Sequence, residues 1–176
     1  MASIEQAPLI LTLKLDEATF AMLDALRQHH FPPARNFLSA HITLFHALPG
    51  EERQQIGETL RQLAQITSEL ALAFPKLLFL GGGVAVLVES PALVRLRKQL
   101  ATDWQMWLSR QDRQGYRPHV TIQNKVEASE ARQLHAQLSA DWQPLYGRGE
   151  GLLLWRYLGG PWQLEEEFLF QGRGKE

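Results

Sequence analysis

His41-Ile42-Thr43-Leu44 and His119-Val120-Thr121-Ile122 repeat one pattern of histidine, aliphatic residue, threonine, aliphatic residue. With six histidines in 176 residues, composition alone yields two such quartets with a chance of roughly one in a thousand. Side chains alternate across a β-strand. A strand through the first quartet therefore puts His41, Thr43 and Phe45 on one face and Ile42 and Leu44 on the other. A strand through the second does the same for His119, Thr121 and Gln123 against Val120 and Ile122. Each strand would bury its aliphatic side and present an imidazole beside a hydroxyl on the opposite side.

Outward from these quartets the chain alternates strands and helices. Leu9 to Leu15 reads as a strand, with Asp16 placed to cap a helix through Phe20, Leu23 and Leu26. A loop rich in Pro32, Pro33 and Asn36 leads into a strand over His41 to Leu48. On that strand His46 is expected on the core face. Ile56, Leu60, Leu63 and Ile66 recur at helical spacing. Leu70 to Phe74 and Lys76 to Leu80 read as strands, the latter turning at Gly81 to Gly83 into a hairpin with Val84 to Glu89. Ser90 and Pro91 open a helix expected to be the longest, carrying Leu93, Leu96, Leu100, Trp104 and Trp107. A polar loop over Ser109 to Arg117 delivers the second quartet. Ser129 is placed to cap a helix with Leu134 and Leu138 inward, and Gly151 to Leu158 and Trp162 to Phe170 read as two closing strands. No linker separates independent domains, so residues 1–176 are read as one domain.

Composition bounds the function. Apolar residues make up 45% and charged residues 21%, ordinary for a globular domain with its own core. Eighteen Lys and Arg against nineteen Asp and Glu give a net charge of -1, which excludes a protein that coats nucleic acid by charge alone. The absence of Cys removes disulfides, thiolate metal sites and cysteine nucleophiles. The first residues carry no positive leader, and the apolar run from Leu77 to Val88 is too short to span a bilayer. A soluble cytoplasmic monomer without membrane contact is expected.

Two histidines facing one cleft suit acid-base chemistry, because an imidazole titrates near neutrality: one ring accepts a proton while the other donates. Threonine hydroxyls are short, stiff donors suited to phosphoryl oxygens. The implied reaction is phosphoester cleavage without a metal or other cofactor. A zinc site would need a third donor, which neither quartet offers at a usual spacing. No phosphate-cradling glycine loop of the GxxxxGK[ST] or GxGxxG type is present.

The paired quartets, their separation and the local sequence Arg117-Pro118-His119-Val120-Thr121-Ile122-Gln123-Asn124-Lys125 resemble the two-histidine phosphoesterase superfamily, the LigT-like or 2′-5′ RNA ligase and cyclic phosphodiesterase proteins. The resemblance implies a bilobal α+β fold, two antiparallel sheets with outer helices related by a pseudo-two-fold axis around a central cleft. It further implies opening of 2′,3′-cyclic phosphates of an RNA terminus or small nucleotide to a 2′-phosphate, with cleavage or joining of 2′-5′ linkages as a related activity. His119 would activate water, His41 would protonate the leaving 3′ oxygen, and Thr43 and Thr121 would hold the phosphate. Residues alone do not decide which histidine is the acid. Relatives that process RNA often carry Arg five residues after the second motif histidine, where this chain has Asn124 followed by Lys125. Phe45, Tyr116, Gln123, Lys125 and Arg35 are the further candidates for substrate contact, while His29, His30, His46 and His135 read as structural or surface residues. The alternative is a binding module that keeps the cleft for a phosphorylated RNA end or nucleotide without turnover.

Overall fold

A computed structural model describes residues 3–174. The first sheet has five strands. β1 (Leu9–Leu15) lies between β2 (Thr43–Leu48) and β7 (Leu145–Tyr157), and β7 pairs further with β3 (Leu70–Phe74) and β8 (Trp162–Leu169), every pairing antiparallel. The second sheet has three strands in the order β4 (Leu77–Phe79), β5 (Val84–Leu87), β6 (His119–Gln123), also antiparallel. Four helices complete the α+β fold: α1 (Glu17–His30), α2 (Arg53–Ile66), α3 (Pro91–Asp103) and α4 (Ala128–Ala140). A two-residue bridge between Ala73 and Glu89 ties the sheets together, and one continuous apolar core runs through both. No helix among the described residues is long and apolar enough to cross a membrane.

Local chemistry sets the element ends. Asp16 accepts from the Thr19 amide at 3.0 Å and caps α1, and Ser90 accepts from the Leu93 amide at 3.2 Å to cap α3 behind Pro91. The β4–β5 hairpin turns at Gly81, whose φ of 89° lies in the left-handed region that favours glycine. Ser129 does not cap α4: that helix starts earlier, with Glu127 at the capping position and no side-chain bond. Nor is α3 the longest helix, since it has 13 residues against 14 in α1 and α2, and Trp107 falls beyond its end. β7 begins six residues before the expected Gly151. Its early part alternates glycines that let neighbours approach, and a Cβ on Gly149 would stand 2.8 Å from the Leu13 side chain. Glycine reads as a turn signal from sequence, so this stretch is hidden there.

The two motif strands share an irregularity. β1 pairs Thr12 with Thr43 and Leu11 with Phe45, so β2 carries one extra residue at Leu44. β5 pairs Ala85 with Thr121 and Val84 with Gln123, so β6 carries one extra residue at Ile122. A bulge of this kind sets two successive residues toward the same side. Leu44 and Phe45 are both buried, as are Ile122 and Gln123. Each strand therefore shows the cleft its histidine and threonine, and then turns its next outward residue into the core. The sheets themselves are unequal, so the internal likeness resides in these strands.

Arg27 joins the halves. It is buried on α1, lies 4.2 Å from the Phe31 ring centroid, and donates to Asn36 Oδ1 and to the Thr121 carbonyl on β6, both at 2.9 Å. Arg27→Ala leaves that carbonyl and the Asn36 amide oxygen short of a donor, and should lower unfolding free energy by about 2–4 kcal/mol in a denaturant titration. A change under about 0.5 kcal/mol would show that the bond does not hold β6 to α1.

Candidate active site

His41 lies two residues before the start of β2, and His119 opens β6. Both rings are fixed in the same way. His41 Nδ1 lies 2.7 Å from the Ser39 carbonyl and His119 Nδ1 lies 2.8 Å from the Arg117 carbonyl, each two residues back. A carbonyl only accepts, so each Nδ1 carries the hydrogen and each Nε2 is left for the cleft. The threonine backbones are held alike: the Thr43 carbonyl accepts from the Tyr116 hydroxyl at 2.9 Å and the Thr121 carbonyl from Arg27 at 2.9 Å.

His41, Thr43, His119 and Thr121 line one cleft of about 490 Å³. Tyr116 joins them there, its phenol pushed upward in pKa by burial and so neutral, despite the opposing pull of Arg97. The other candidates for substrate contact are placed elsewhere. Phe45 is fully buried, 5.3 Å from Trp104 between ring centroids and beneath the Arg97 guanidinium. Gln123 is buried with its Oε1 unpaired. The bulges described above account for both. Arg35 and Lys125 are exposed and do not line the cleft; Lys125 follows β6 in a left-handed turn with φ 62°.

The cleft also holds residues that the alternation pattern misassigns or that carry no sequence signal. His46 is half-exposed and lines the cleft rather than the core, because the β2 bulge reverses the faces after Leu44. Two successive apolar residues in an alternating strand, Leu44-Phe45, are the signal that announces this reversal. Asp112, from the loop after α3, lines the same cleft with its carboxylate bonded to His46. Trp162 packs 4.8 Å from the His41 ring centroid, and both side chains also line a second cleft of about 840 Å³, with Phe37, Trp155 and Lys14 among others. Among the described residues, no three His, Asp or Glu side chains are grouped to hold a metal ion.

Electrostatics set one motif histidine apart. Burial pushes His41 down to about 4; the Ser39 carbonyl opposes this, and the charges of Arg27, His46 and His119 add to it. The free His41 ring is therefore neutral near pH 7. Burial would raise the Asp112 carboxyl, but bonds from the His46 ring and from the His46 and Ala47 amides outweigh it and hold the group ionised.

The sequence model of the 2′-5′ RNA ligase superfamily matches residues 15–161. Among solved structures, the chain is similar to the TT0787 protein of Thermus thermophilus, with a TM-score of 0.67 at 17% identity over 95% of this chain and 100% of that one. It is also similar to Escherichia coli LigT, complexed with 3′-AMP (TM-score 0.59, 15% identity, 94% of this chain and 98% of that one) and with NADP+ (TM-score 0.58, 16% identity, 94% and 99%). At these identities the structures speak for the fold alone. A comparison with curated proteins returns no match. Because the sequence model spans all but the ends of the chain and the LigT-like fold is shared nearly throughout, the chain belongs to the 2′-5′ RNA ligase superfamily.

Proposed function

We propose that the chain is a metal-independent phosphoesterase that opens 2′,3′-cyclic phosphates of RNA ends or nucleotides to 2′-phosphates. The observation that carries this reading is the matched pair of imidazoles, each with Nδ1 committed to a carbonyl, lining one cleft beside a threonine. A general base and a general acid in one site need that arrangement. His119 Nε2 takes the proton of a water as its oxygen attacks phosphorus. The bond from phosphorus to the 3′ oxygen breaks, and His41 Nε2 gives that oxygen its proton. Thr43 and Thr121 donate to the phosphoryl oxygens that carry the negative charge. The second cleft, lined by Trp155 and Phe37, offers aromatic surface for the nucleoside. The nucleotide ligands of the similar LigT structures support a nucleotide here.

The acid role asks for a proton that His41 lacks in the free protein. A phosphate charge about 4 Å from the ring, at an effective dielectric of about 20, contributes about 4 kcal/mol. That is roughly a thousandfold in a protonation equilibrium, enough to carry the ring from about 4 to near neutrality. His41 would thus charge as substrate enters and give the proton up in the reaction.

Each of His41→Ala and His119→Ala should lower kcat on 2′,3′-cyclic AMP by about 10²–10⁴ in the presence of chelator, and Thr43→Ala and Thr121→Ala by about 10–10³. Saturable binding without product in the wild type would make the chain a binding module instead. In an NMR titration, the His41 ring should change charge near pH 4 in the free protein and near neutrality with saturating 2′-AMP. A ring that stays neutral in the complex would exchange the two roles, making His41 the base.

A further inference from the structure

His46 presents a third imidazole to the cleft, and it is held differently from the other two. Its Nδ1 lies 3.0 Å from Asp112 Oδ1, a carboxylate where His41 and His119 have carbonyls. The Asp112 side chain is 1% exposed and accepts two further backbone bonds, from the His46 amide at 2.9 Å and the Ala47 amide at 3.0 Å. The Asp112 backbone is pinned as well, its amide donating to Ser109 Oγ at 3.2 Å and its carbonyl accepting from Arg97 at 2.6 Å. A buried carboxylate fixed at this many points has no freedom to leave the ring. It sets the hydrogen on Nδ1, points Nε2 toward the space shared with His41, Thr43, His119 and Thr121, and places a negative charge behind the imidazole.

Of the other cations, Arg97 is committed, Arg35 and Lys125 lie outside the cleft, and Arg117 lines it with no bond among the described residues that fixes its side chain. Arg97 donates to the Leu44 and Asp112 carbonyls and lies over the Phe45 and Tyr116 rings. An anionic phosphate entering here meets one group that the fold holds in place, backs with a carboxylate and leaves with a free Nε2, a donor once the ring is protonated. We propose that His46, oriented by Asp112, is a phosphate-binding group whose ring, once protonated, donates its Nε2–H to a non-bridging oxygen of the substrate phosphate. This assignment rests on the phosphoesterase reading of the cleft. It also makes Asp112 a positioning residue that acts through His46, in addition to satisfying the β2 backbone.

A charge held by an imidazole disappears as pH rises, so substrate affinity carries its signature. The groups facing His46 are Asp112, Tyr116 and Arg117 from the loop after α3, Arg97 from α3, His41 ahead of β2, and His119 from β6. Removing His46 also removes a charge that helps to lower His41, so the assignment is read on KM, which reports binding, apart from kcat. With 2′,3′-cyclic AMP at about pH 6, His46→Ala should raise KM about tenfold, the worth of a charge-assisted hydrogen bond, while kcat changes by less than about threefold. The ratio of the two KM values should shrink toward alkaline pH, because deprotonation with the hydrogen kept on Nδ1 removes the Nε2–H donor. Asp112→Asn should reproduce the KM effect at the lower pH in a variant whose circular dichroism matches the wild type. Equal KM values across the pH range, or a loss confined to kcat and thermal stability, would reduce His46 to a structural partner of Asp112. If the wild type turns nothing over, the phosphoesterase reading fails separately, and 2′-AMP titrated into histidine-labelled protein still decides the matter. A shift of the His46 Nε2 signal at saturation supports the assignment, and an unmoved signal overturns it.

Discussion

Two hydrogen bonds from imidazole to backbone, His41 to the Ser39 carbonyl and His119 to the Arg117 carbonyl, are the constraint on which the site depends. Each bond is local, spanning two residues, so a short segment can build it without help from the rest of the fold. What the fold must add is the meeting of the two segments. It does so through a helix and a loop: Arg27 reaches from α1 to the Thr121 carbonyl, and Tyr116 reaches from the loop before β6 to the Thr43 carbonyl. Each motif strand is thus secured at its threonine by a donor from a distant element. The geometry of the cleft is in this sense a by-product of satisfying backbone carbonyls that would otherwise be left short of partners.

The bulges decide what else faces the cleft. An uninterrupted strand would alternate indefinitely and line the cleft with Phe45 and Gln123. The extra residues at Leu44 and Ile122 send both into the core. On β2 the same reversal delivers His46 to the cleft, where it meets the buried Asp112 carboxylate. β2 is an edge strand, and edge strands leave amides exposed. The His46 and Ala47 amides both find Asp112, so one carboxylate closes the edge and orients a ring. Burial drives His41 toward the neutral form while a carboxylate stands behind His46. Imidazoles that share one cleft are thereby given unlike surroundings, as division of labour among them requires.

Much of this is legible in the sequence, and the parts that are not share a physical reason. The repeated quartet, the Asp16 and Ser90 caps and the glycine hairpin depend on neighbours within a few residues, and each appears in the structure. The same quartets place His41, Thr43, His119 and Thr121 around one cleft. Local alternation misassigns Phe45, Gln123 and His46 because a bulge is fixed by pairing with another strand, which the local pattern does not contain. Asp112 is invisible in a polar loop because its role arises from the distant His46. Arg35 and Lys125 are close in sequence to the motifs, yet neither lines the cleft. The early half of β7 is hidden because its glycines serve close packing rather than turning.

The most direct test of the central claim, that two imidazoles act as one device, is the turnover of 2′,3′-cyclic AMP by the double variant His41→Ala/His119→Ala beside each single variant. Groups that act as a unit lose their function together, so the double variant should be no more than about threefold slower than the slower single variant. Losses that multiply, so that the double variant shows the product of the two single defects, would mean that the rings contribute independently and would contradict the account.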